Sequence, residues 1–350
     1  MASEILIEAG ALEAFVAALF RAAGSCEREA ALTARHLVEA NLRGHDSHGI
    51  GVIPSYLRYL AEGHLALNEA PEIVLDTGTL LVCDGRRGMG QVIAHDATDL
   101  AIARAKANGS CILALRNSFH IGRIGHWAEQ CTAAGLVSLH FVNVVSNAAV
   151  APFGGGQARL GTNPVAIGLP RADAPPIVVD FATSRLAVGK IRVAMNKGEQ
   201  VPPGTLLDAQ GRETTDPAAL FASPPGALVT FGEHKGWGLA LACELLAGAL
   251  AGGDGHPGSR EPKGIINGMF AILVSPERLG TQDAFACHLE QVVAWVTSEE
   301  GEDGPRVRVP GDPERATREA RLRDGIPVDA VTWSEIREAA EGYGVAAPAS

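Results

Sequence analysis

Between about residue 90 and residue 170 the sequence alternates between helix-like and strand-like segments, and this order limits the folds open to the chain. Apolar spacing predicts four segments there: helix 92–107, strand 111–115, helix 124–134 and strand 136–142. Gly109 and Gly135 follow the two helices, at positions where a left-handed cap favours glycine. The alternation predicts an α/β fold for the centre of the chain.

Helical periodicity dominates both ends of the chain. We predict helices over 11–23 and 27–42 at the start, and over 313–323 and 334–341 at the end. The centre adds strands at 165–169, 177–181 and 265–274 and helices at 235–250 and 283–296. We therefore divide the 350 residues into an N-terminal helical part (1–75), a central α/β part (76–290) and a C-terminal part (291–350).

Composition excludes several classes of protein. The formal net charge of -11 argues against nucleic acid or an acidic membrane surface as a partner, because such partners need clustered Lys and Arg. The most apolar segment, 239–251, contains Glu244 and is shorter than the roughly 20 residues that span a bilayer. The start of the chain does not resemble a secretory signal, and the six cysteines are scattered. We expect a cytoplasmic protein.

The segment Arg43-Gly44-His45-Asp46-Ser47-His48-Gly49 concentrates reactive side chains directly after a predicted helix. Imidazole is the usual proton donor or acceptor near neutral pH, and a nearby Ser and Asp can orient it. The spacing of His45 and His48 would also allow a zinc site on a helix. Glycines on both sides argue against a helix there, so we expect acid–base chemistry and no metal.

Three further polar clusters lie at the ends of predicted elements. Residues 117–126 lie between a strand and a helix, where backbone N–H groups and Arg123 suit an anion, although His120 and His126 could equally cap a turn. Asp180 ends an apolar strand and needs a partner, which could be a histidine. His234 opens an apolar helix, where a charged start is often only a solvated cap.

The sequence contains no convincing dinucleotide fingerprint of the Gly-x-Gly-x-x-Gly type. The glycines at 85–90 have the wrong spacing, and Gly154-Gly155-Gly156 leads into no obvious helix. The residues alone therefore do not predict a Rossmann site.

Seven ordered motifs together resemble the malate/L-lactate/ureidoglycolate dehydrogenase family, and most closely its hydroxycarboxylate dehydrogenase B branch. They are Arg43-Gly-His-Asp-Ser-His-Gly49, Asn117-Ser-x-His-x-Gly122, Leu160-Gly-Thr-Asn-Pro164, Asp180-x-Ala-Thr-Ser184, Gly189-Lys190, His234-Lys-Gly-x-Gly-Leu239 and Val309-Pro-Gly311. The resemblance implies a family-specific, non-Rossmann fold that binds NAD, or NADP, on a mixed central sheet. A helical domain built from both termini would flank this sheet, and the enzyme would work as a homodimer.

The resemblance also implies roles for individual residues. His48 would be the acid/base, helped by Ser47 and Asp180, with His120 as a second candidate. The implied cofactor contacts are His48, Gly122, Arg123, Ile124, Val178, Val179, Asp180, Phe181, Ala182, His234, Asn267, Pro313, Glu314 and Arg315. The implied substrate contacts are Arg43, Val52, Arg123 and Thr162.

Many relatives carry an arginine at the position of Val52, where it binds the carboxylate of the substrate. Valine cannot form that bidentate contact, so we expect Arg43 or Arg123 to replace it, or a larger substrate to need it less. The predicted activity is reduction of 2-oxo acids such as phenylpyruvate, hydroxyphenylpyruvate or 2-oxoglutarate, with the reverse oxidation. The alternatives are a reductase of cyclic imino acids and a dimeric NAD-binding protein without catalysis.

Overall fold

The computed structural model describes residues 4–146, 148–253, 264–299 and 307–348. Its helices are α1 (Ala9–Ala22), α2 (Glu27–Leu42), α3 (Ile53–Ala61), α4 (Gly90–Asn108), α5 (Gly125–Ala133), α6 (Val188–Lys197), α7 (His234–Cys243), α8 (Pro276–Leu279), α9 (Gln282–Thr297), α10 (Asp312–Asp324) and α11 (Ala330–Glu341). A π-helical segment, Glu244–Leu250, continues α7. No helix in these ranges is long and apolar enough to cross a membrane.

The strands form three sheets. They are β1 (Glu4–Ile7), β2 (Glu72–Asp76), β3 (Leu80–Asp84), β4 (Ser110–Phe119), β5 (Val137–Val145), β6 (Val165–Leu169), β7 (Ile177–Phe181), β8 (Leu206–Leu207), β9 (Glu213–Thr214), β10 (Ala227–Leu228), β11 (Ile266–Val274) and β12 (Ile326–Asp329). Within the described residues the largest sheet has seven strands in the order β2-β3-β4-β11-β5-β6-β7. A three-stranded sheet, β10-β8-β9, and the pair β1-β12 complete the set.

The central sheet is mixed, which confirms the predicted fold class. Strands β3 and β4 are parallel, and α4 connects them as the crossover that a parallel pair requires. The pairs on either side of them are antiparallel, and β11 lies between β4 and β5 although it comes much later in the chain. A Rossmann sheet is mostly parallel, so this fold is a different one.

Helix α4 packs against the sheet because apolar side chains, three of them alanines, recur along one face. Ile93, Ala97, Ala101 and Ala105 follow one another at intervals of four residues, and all are fully buried. The helix ends at Gly109, whose φ of 92° is the left-handed conformation predicted from the sequence. This close packing fixes the start of α4 relative to the end of β4.

The described residues form three apolar clusters, and two of them position the elements around the site. The first, called here the terminal cluster, combines α1, α2 and α3 with β12 and α11, so it joins both ends of the chain. The second, called the sheet cluster, fills the space between the central sheet and helices α4 and α5. The predicted division at residues 75 and 290 stays a prediction, and α9 runs through the second of these positions.

Several histidines lie in these packed regions, and burial lowers the pKa of each. The pKa falls to about 4 for His48 and to about 3 for His120, His126 and His140. Histidine in an unfolded chain titrates near 6.5. Between pH 6.5 and about 4 the unfolded chain therefore binds protons that the folded chain does not bind.

We predict that the free energy of unfolding decreases as the pH falls from 6.5 to 4, because protonation favours the unfolded chain over this range. Urea unfolding at a series of pH values measures the slope. His140 is fully buried and does not line the cavity described below, so His140→Leu should make the slope shallower. Equal unfolding midpoints at pH 7 and pH 4.5, or an unchanged slope in the variant, would contradict the prediction.

Candidate active site

A large cavity of about 1520 Å³ lies where the heptapeptide, the end of β4 and the end of β7 meet. It exceeds the roughly 300–1,000 Å³ that is usual for a drug-sized ligand. Most of the predicted site residues line it: Arg43, Ser47, His48, His120, Gly122, Arg123, Ile124, Thr162, Asp180, Phe181, Ala182, Asn267, Pro313 and Glu314. Residues from both ends and the centre of the sequence are thus brought together.

Five predicted positions lie outside the lining. Val52 packs against the terminal cluster, and Val178 is buried in the sheet cluster. His234 contacts Phe153 edge to face, with ring centroids 6.0 Å apart. The other two are Val179, within β7, and Arg315, whose Nη1 donates to the carbonyl of Pro176. All of these side chains except that of Val179 therefore have packing or hydrogen-bond partners of their own.

Two residues of the heptapeptide are held by helix α10. Arg321 donates to both carboxylate oxygens of Asp46, at 2.6 and 3.1 Å. Nε2 of His45 lies 3.7 Å from a carboxylate oxygen of Glu314. Among the described residues, no three His, Cys, Asp or Glu side chains are grouped as a metal site would require.

Ser47 and His48 face the cavity on a short 3-10 turn, Asp46–His48. A Cβ atom on Gly189 would lie only 2.3 Å from Cβ of Ser47, so α6 approaches this turn as closely as glycine allows. Nδ1 of His48 is buried without a hydrogen-bond partner in the described part of the chain. The proposed helpers Ser47 and Asp180 do not bond to it in this structure.

The low pKa of His48 has identifiable causes. Burial lowers it most, the neighbouring His45 lowers it further, and the charge of Asp180 opposes these effects. The result, about 4, keeps the imidazole neutral at pH 7. The ring stacks on that of His120, with centroids 5.4 Å apart and planes inclined by 21°.

Asp180 has the partner that a carboxylate at a strand end needs, but the partner is not a histidine. Its Oδ2 accepts a 2.9 Å hydrogen bond from the backbone N–H of Gly125, at the first turn of α5. Nη1 of Arg123 lies 3.6 Å from the same oxygen. Arg123 is only 2% exposed, and its Nη2 donates to Glu129 at 2.5 Å. The guanidinium is therefore enclosed between two carboxylates.

The loop before α5 has a conformation that His36 stabilises. Nε2 of this buried imidazole accepts a 3.0 Å hydrogen bond from the backbone N–H of Arg123. Gly122 has a φ of 73°, and a Cβ atom there would lie 2.2 Å from the same nitrogen. Only glycine fits this position, which explains the glycine in the Asn-Ser-x-His-x-Gly motif.

His120 belongs to a buried chain of hydrogen bonds that reasoning from sequence missed. Its Nδ1 lies 2.5 Å from the phenol oxygen of Tyr56, which accepts from Nε2 of Gln91 at 2.9 Å. Burial lowers the pKa of His120 to about 3 and raises the pKa of Tyr56 above its ordinary value. Tyr56 lies on the apolar face of α3, so its spacing alone predicts only a core residue.

The cations that line the cavity differ in their pairing. Arg43 lies 3.2 Å from Glu129 and 3.5 Å from Glu39, and Arg123 is enclosed as described. Lys190 also lines the cavity, and its ammonium group has no ion pair or hydrogen bond with the residues that the structure describes. The motif Gly189-Lys190 marked this position, but its spacing gave no reason to assign it a role.

Comparison with known proteins agrees with this architecture. Residues 7–337 match the sequence profile of the family described as malate/L-lactate dehydrogenase. The chain is 48% identical to hydroxycarboxylate dehydrogenase B of Escherichia coli (strain K12) over 341 residues, which are 97% of this chain and 94% of that protein. It is 40% identical to L-lactate dehydrogenase of Cupriavidus necator over 321 residues, which are 90% and 91% of the two chains.

The fold is also similar to solved structures. Sulfolactate dehydrogenase from Methanocaldococcus jannaschii superposes with a TM-score of 0.87 at 30% sequence identity, and 98% of each chain is covered. The similarity extends over nearly the whole chain, so the resemblance inferred from the ordered motifs is confirmed.

Proposed function

The chain belongs to the malate/L-lactate dehydrogenase family, and we propose that its cavity reduces 2-oxo acids to 2-hydroxy acids with NAD, and catalyses the reverse oxidation. The family makes it a 2-hydroxyacid dehydrogenase that takes a small acid and a nicotinamide cofactor. The observation that carries the proposal is the pair of stacked imidazoles, His48 and His120, in one large cavity.

The cavity suits a dinucleotide by size and by the chemistry of its lining. Arg185 and Arg192 in the lining supply positive charge for a pyrophosphate, and Nδ1 of His48 is a buried polar atom without a hydrogen-bond partner among the described residues. When bound, the nicotinamide supplies or accepts a hydride. We propose these cavity residues as its contacts: His48, Gly122, Arg123, Ile124, Asp180, Phe181, Ala182, Asn267, Pro313 and Glu314.

His48 is the residue we propose to exchange the proton. In the oxidation direction the neutral imidazole accepts the proton of the substrate hydroxyl. In the reduction direction it must first be protonated, and the carboxylate of a bound 2-oxo acid favours this because a nearby negative charge raises the pKa of an imidazole. Asp180 acts in the same sense, since its charge already raises the pKa of His48.

Lys190 is our proposed partner for the substrate carboxylate. Val52 does not line the cavity, and the guanidinium groups of Arg43 and Arg123 are already paired with carboxylates. Lys190 follows Gly189, which packs against Ser47, the residue before the proposed acid/base His48. The ammonium group of Lys190 therefore belongs to a segment that contacts the proposed acid/base turn. Thr162 also lines the cavity and can add a hydrogen bond.

Aromatic rings in the lining support a substrate with a large side group. The cavity is lined by Tyr59, Phe181, Phe221 and Phe231. Such rings stabilise apolar or aromatic groups by burial and by edge-to-face contact. We therefore propose phenylpyruvate or hydroxyphenylpyruvate ahead of pyruvate, and 2-oxoglutarate as a further substrate.

We also propose that the chain forms a homodimer, as the family resemblance implies. Large apolar side chains are exposed on three helical segments, among them Trp295 (79%), Leu250 (64%) and Leu279 (63%). Assembly of two copies would cover such side chains, since burial of apolar surface is favourable. Sedimentation analysis of the purified protein tests this assembly, and a stable monomer would contradict it.

We predict NADH oxidation by the purified enzyme when 2-oxo acids are added. The rate should be higher with phenylpyruvate than with pyruvate, because the aromatic lining contacts the larger side group, and higher than with Δ1-piperideine-2-carboxylate. Absorbance of NADH at saturating cofactor measures all three, and NADPH is compared in parallel. Preference for the cyclic imine would favour the imino-acid reductase, whereas cofactor binding without any turnover would favour a non-catalytic binding protein.

The control for this experiment is the variant His48→Ala. Loss of the acid/base should lower kcat by about 10²–10⁴. Binding of NADH, followed by its fluorescence, should be largely retained. Full turnover in the variant would show that another group exchanges the proton.

We predict that Lys190→Gln raises KM for the 2-oxo acid roughly 10- to 100-fold and changes kcat less, because a hydrogen bond to a charged group contributes about 1.5–3 kcal/mol. Steady-state kinetics at saturating NADH measures both constants. Lys106→Gln, at the far end of α4 and outside the cavity, is the matched control and should leave KM unchanged. An unchanged KM in the Lys190 variant would assign the carboxylate to another cation.

A further inference from the structure

The start of α4 is pressed against the end of β4, where His120 lies. A Cβ atom on Gly90 would be 2.1 Å from the carbonyl oxygen of His120, so only glycine allows this approach. The next residue, Gln91, is 1% exposed, and its amide therefore lies in the packed interior. It reaches the phenol of Tyr56, which in turn reaches Nδ1 of His120.

Counting protons along this chain fixes its direction. The amide NH₂ of Gln91 can only donate, so the phenol oxygen of Tyr56 accepts its 2.9 Å hydrogen bond. Among the described residues the phenol has no other hydrogen-bond partner, so its single proton goes to Nδ1 of His120, 2.5 Å away. Nδ1 is therefore an acceptor, and the proton of the neutral imidazole lies on Nε2.

Burial keeps every member of the chain uncharged at neutral pH. It lowers the pKa of His120 to about 3, and it raises the pKa of Tyr56 above its ordinary value. The imidazole is thus neither protonated twice nor able to take a proton from Tyr56. Because Nδ1 is occupied, Nε2–H is the group that His120 offers to a ligand in the cavity that it lines.

We propose that His120 is a fixed hydrogen-bond donor to the reacting oxygen of the substrate, and that Gln91, acting through Tyr56, is the positioning residue that fixes it. This inference rests on the proposed function. In reduction, negative charge develops on the carbonyl oxygen, and a preorganised donor stabilises it. An imidazole whose Nε2 already carries a proton cannot accept another there, so the proton exchange is left to His48.

The proton position can be measured without turnover. We expect ¹⁵N NMR of the full-length wild-type protein at pH 7.5 to show His120 with Nε2 protonated and Nδ1 unprotonated. The signals are assigned by their absence in His120→Gln. A proton on Nδ1, or on both nitrogens, would overturn the proposal. This result is independent of activity: if no 2-oxo acid is reduced, the proposed function fails while the proton position still stands.

The role of Gln91 is tested by Gln91→Met, which keeps the side-chain length and removes the donor. The phenol of Tyr56 can then donate or accept, so we expect ¹⁵N signals from both neutral forms of His120. We also expect kcat to fall roughly tenfold, part of the 10²–10³ that loss of an oxyanion donor costs. Retention of a single form together with wild-type kcat would overturn the role of Gln91.

Gln130→Met is the matched control, because Gln130 also donates through its amide but lies on α5 and does not line the cavity. It should keep the wild-type proton position on His120 and the wild-type kcat. A change in the His120 signals of this control equal to that in Gln91→Met would overturn the specific role of Gln91. Should Gln91→Met fail to fold, the wild-type spectrum still decides the proton position.

Discussion

The site depends on the exclusion of water where the terminal cluster and the sheet cluster meet. The chain passes from the terminal cluster to the sheet cluster between Val92 and Ile93, and again between Phe119 and Ile121. His120 lies at the second of these crossings. A polar side chain placed there must be hydrogen-bonded and uncharged, because a buried unpaired charge costs several kcal/mol. The same packing that stabilises the fold therefore sets the protonation of the proposed catalytic groups.

Ion pairs balance part of the charge that lines the cavity. Arg123 lies between the carboxylates of Glu129 and Asp180, and Asp180 also accepts from the first turn of α5. This arrangement leaves the two imidazoles neutral, and the ammonium group of Lys190, the proposed contact for an anionic substrate, has no ion pair with a described residue. Fixed ion pairs around Arg123 are thus separate from His48, the group that we propose to change protonation.

Local pattern predicted much of the fold, but contacts between distant residues could not be read from it. Strands β6 and β7 have the predicted bounds, because short apolar runs between turn residues specify them locally. The pairing of β1 with β12 and the position of β11 between β4 and β5 depend on packing, which has no local signal. Likewise the motifs identified His48, Asp180 and Arg123, whereas Gln91 and Tyr56 gave the signal of ordinary core residues. Val52 is the opposite case. The family resemblance predicted a substrate contact there, but the side chain packs against the terminal cluster.

The most direct test of this account is the pKa of His48 in the protein without ligands. The ring protons of His48, assigned with His48→Ala, can be followed by NMR between pH 3.5 and 8. Burial of the ring predicts a pKa of about 4. A value near 6.5, that of an imidazole in water, would contradict the account, because it would mean that packing does not control the charge of the proposed acid/base.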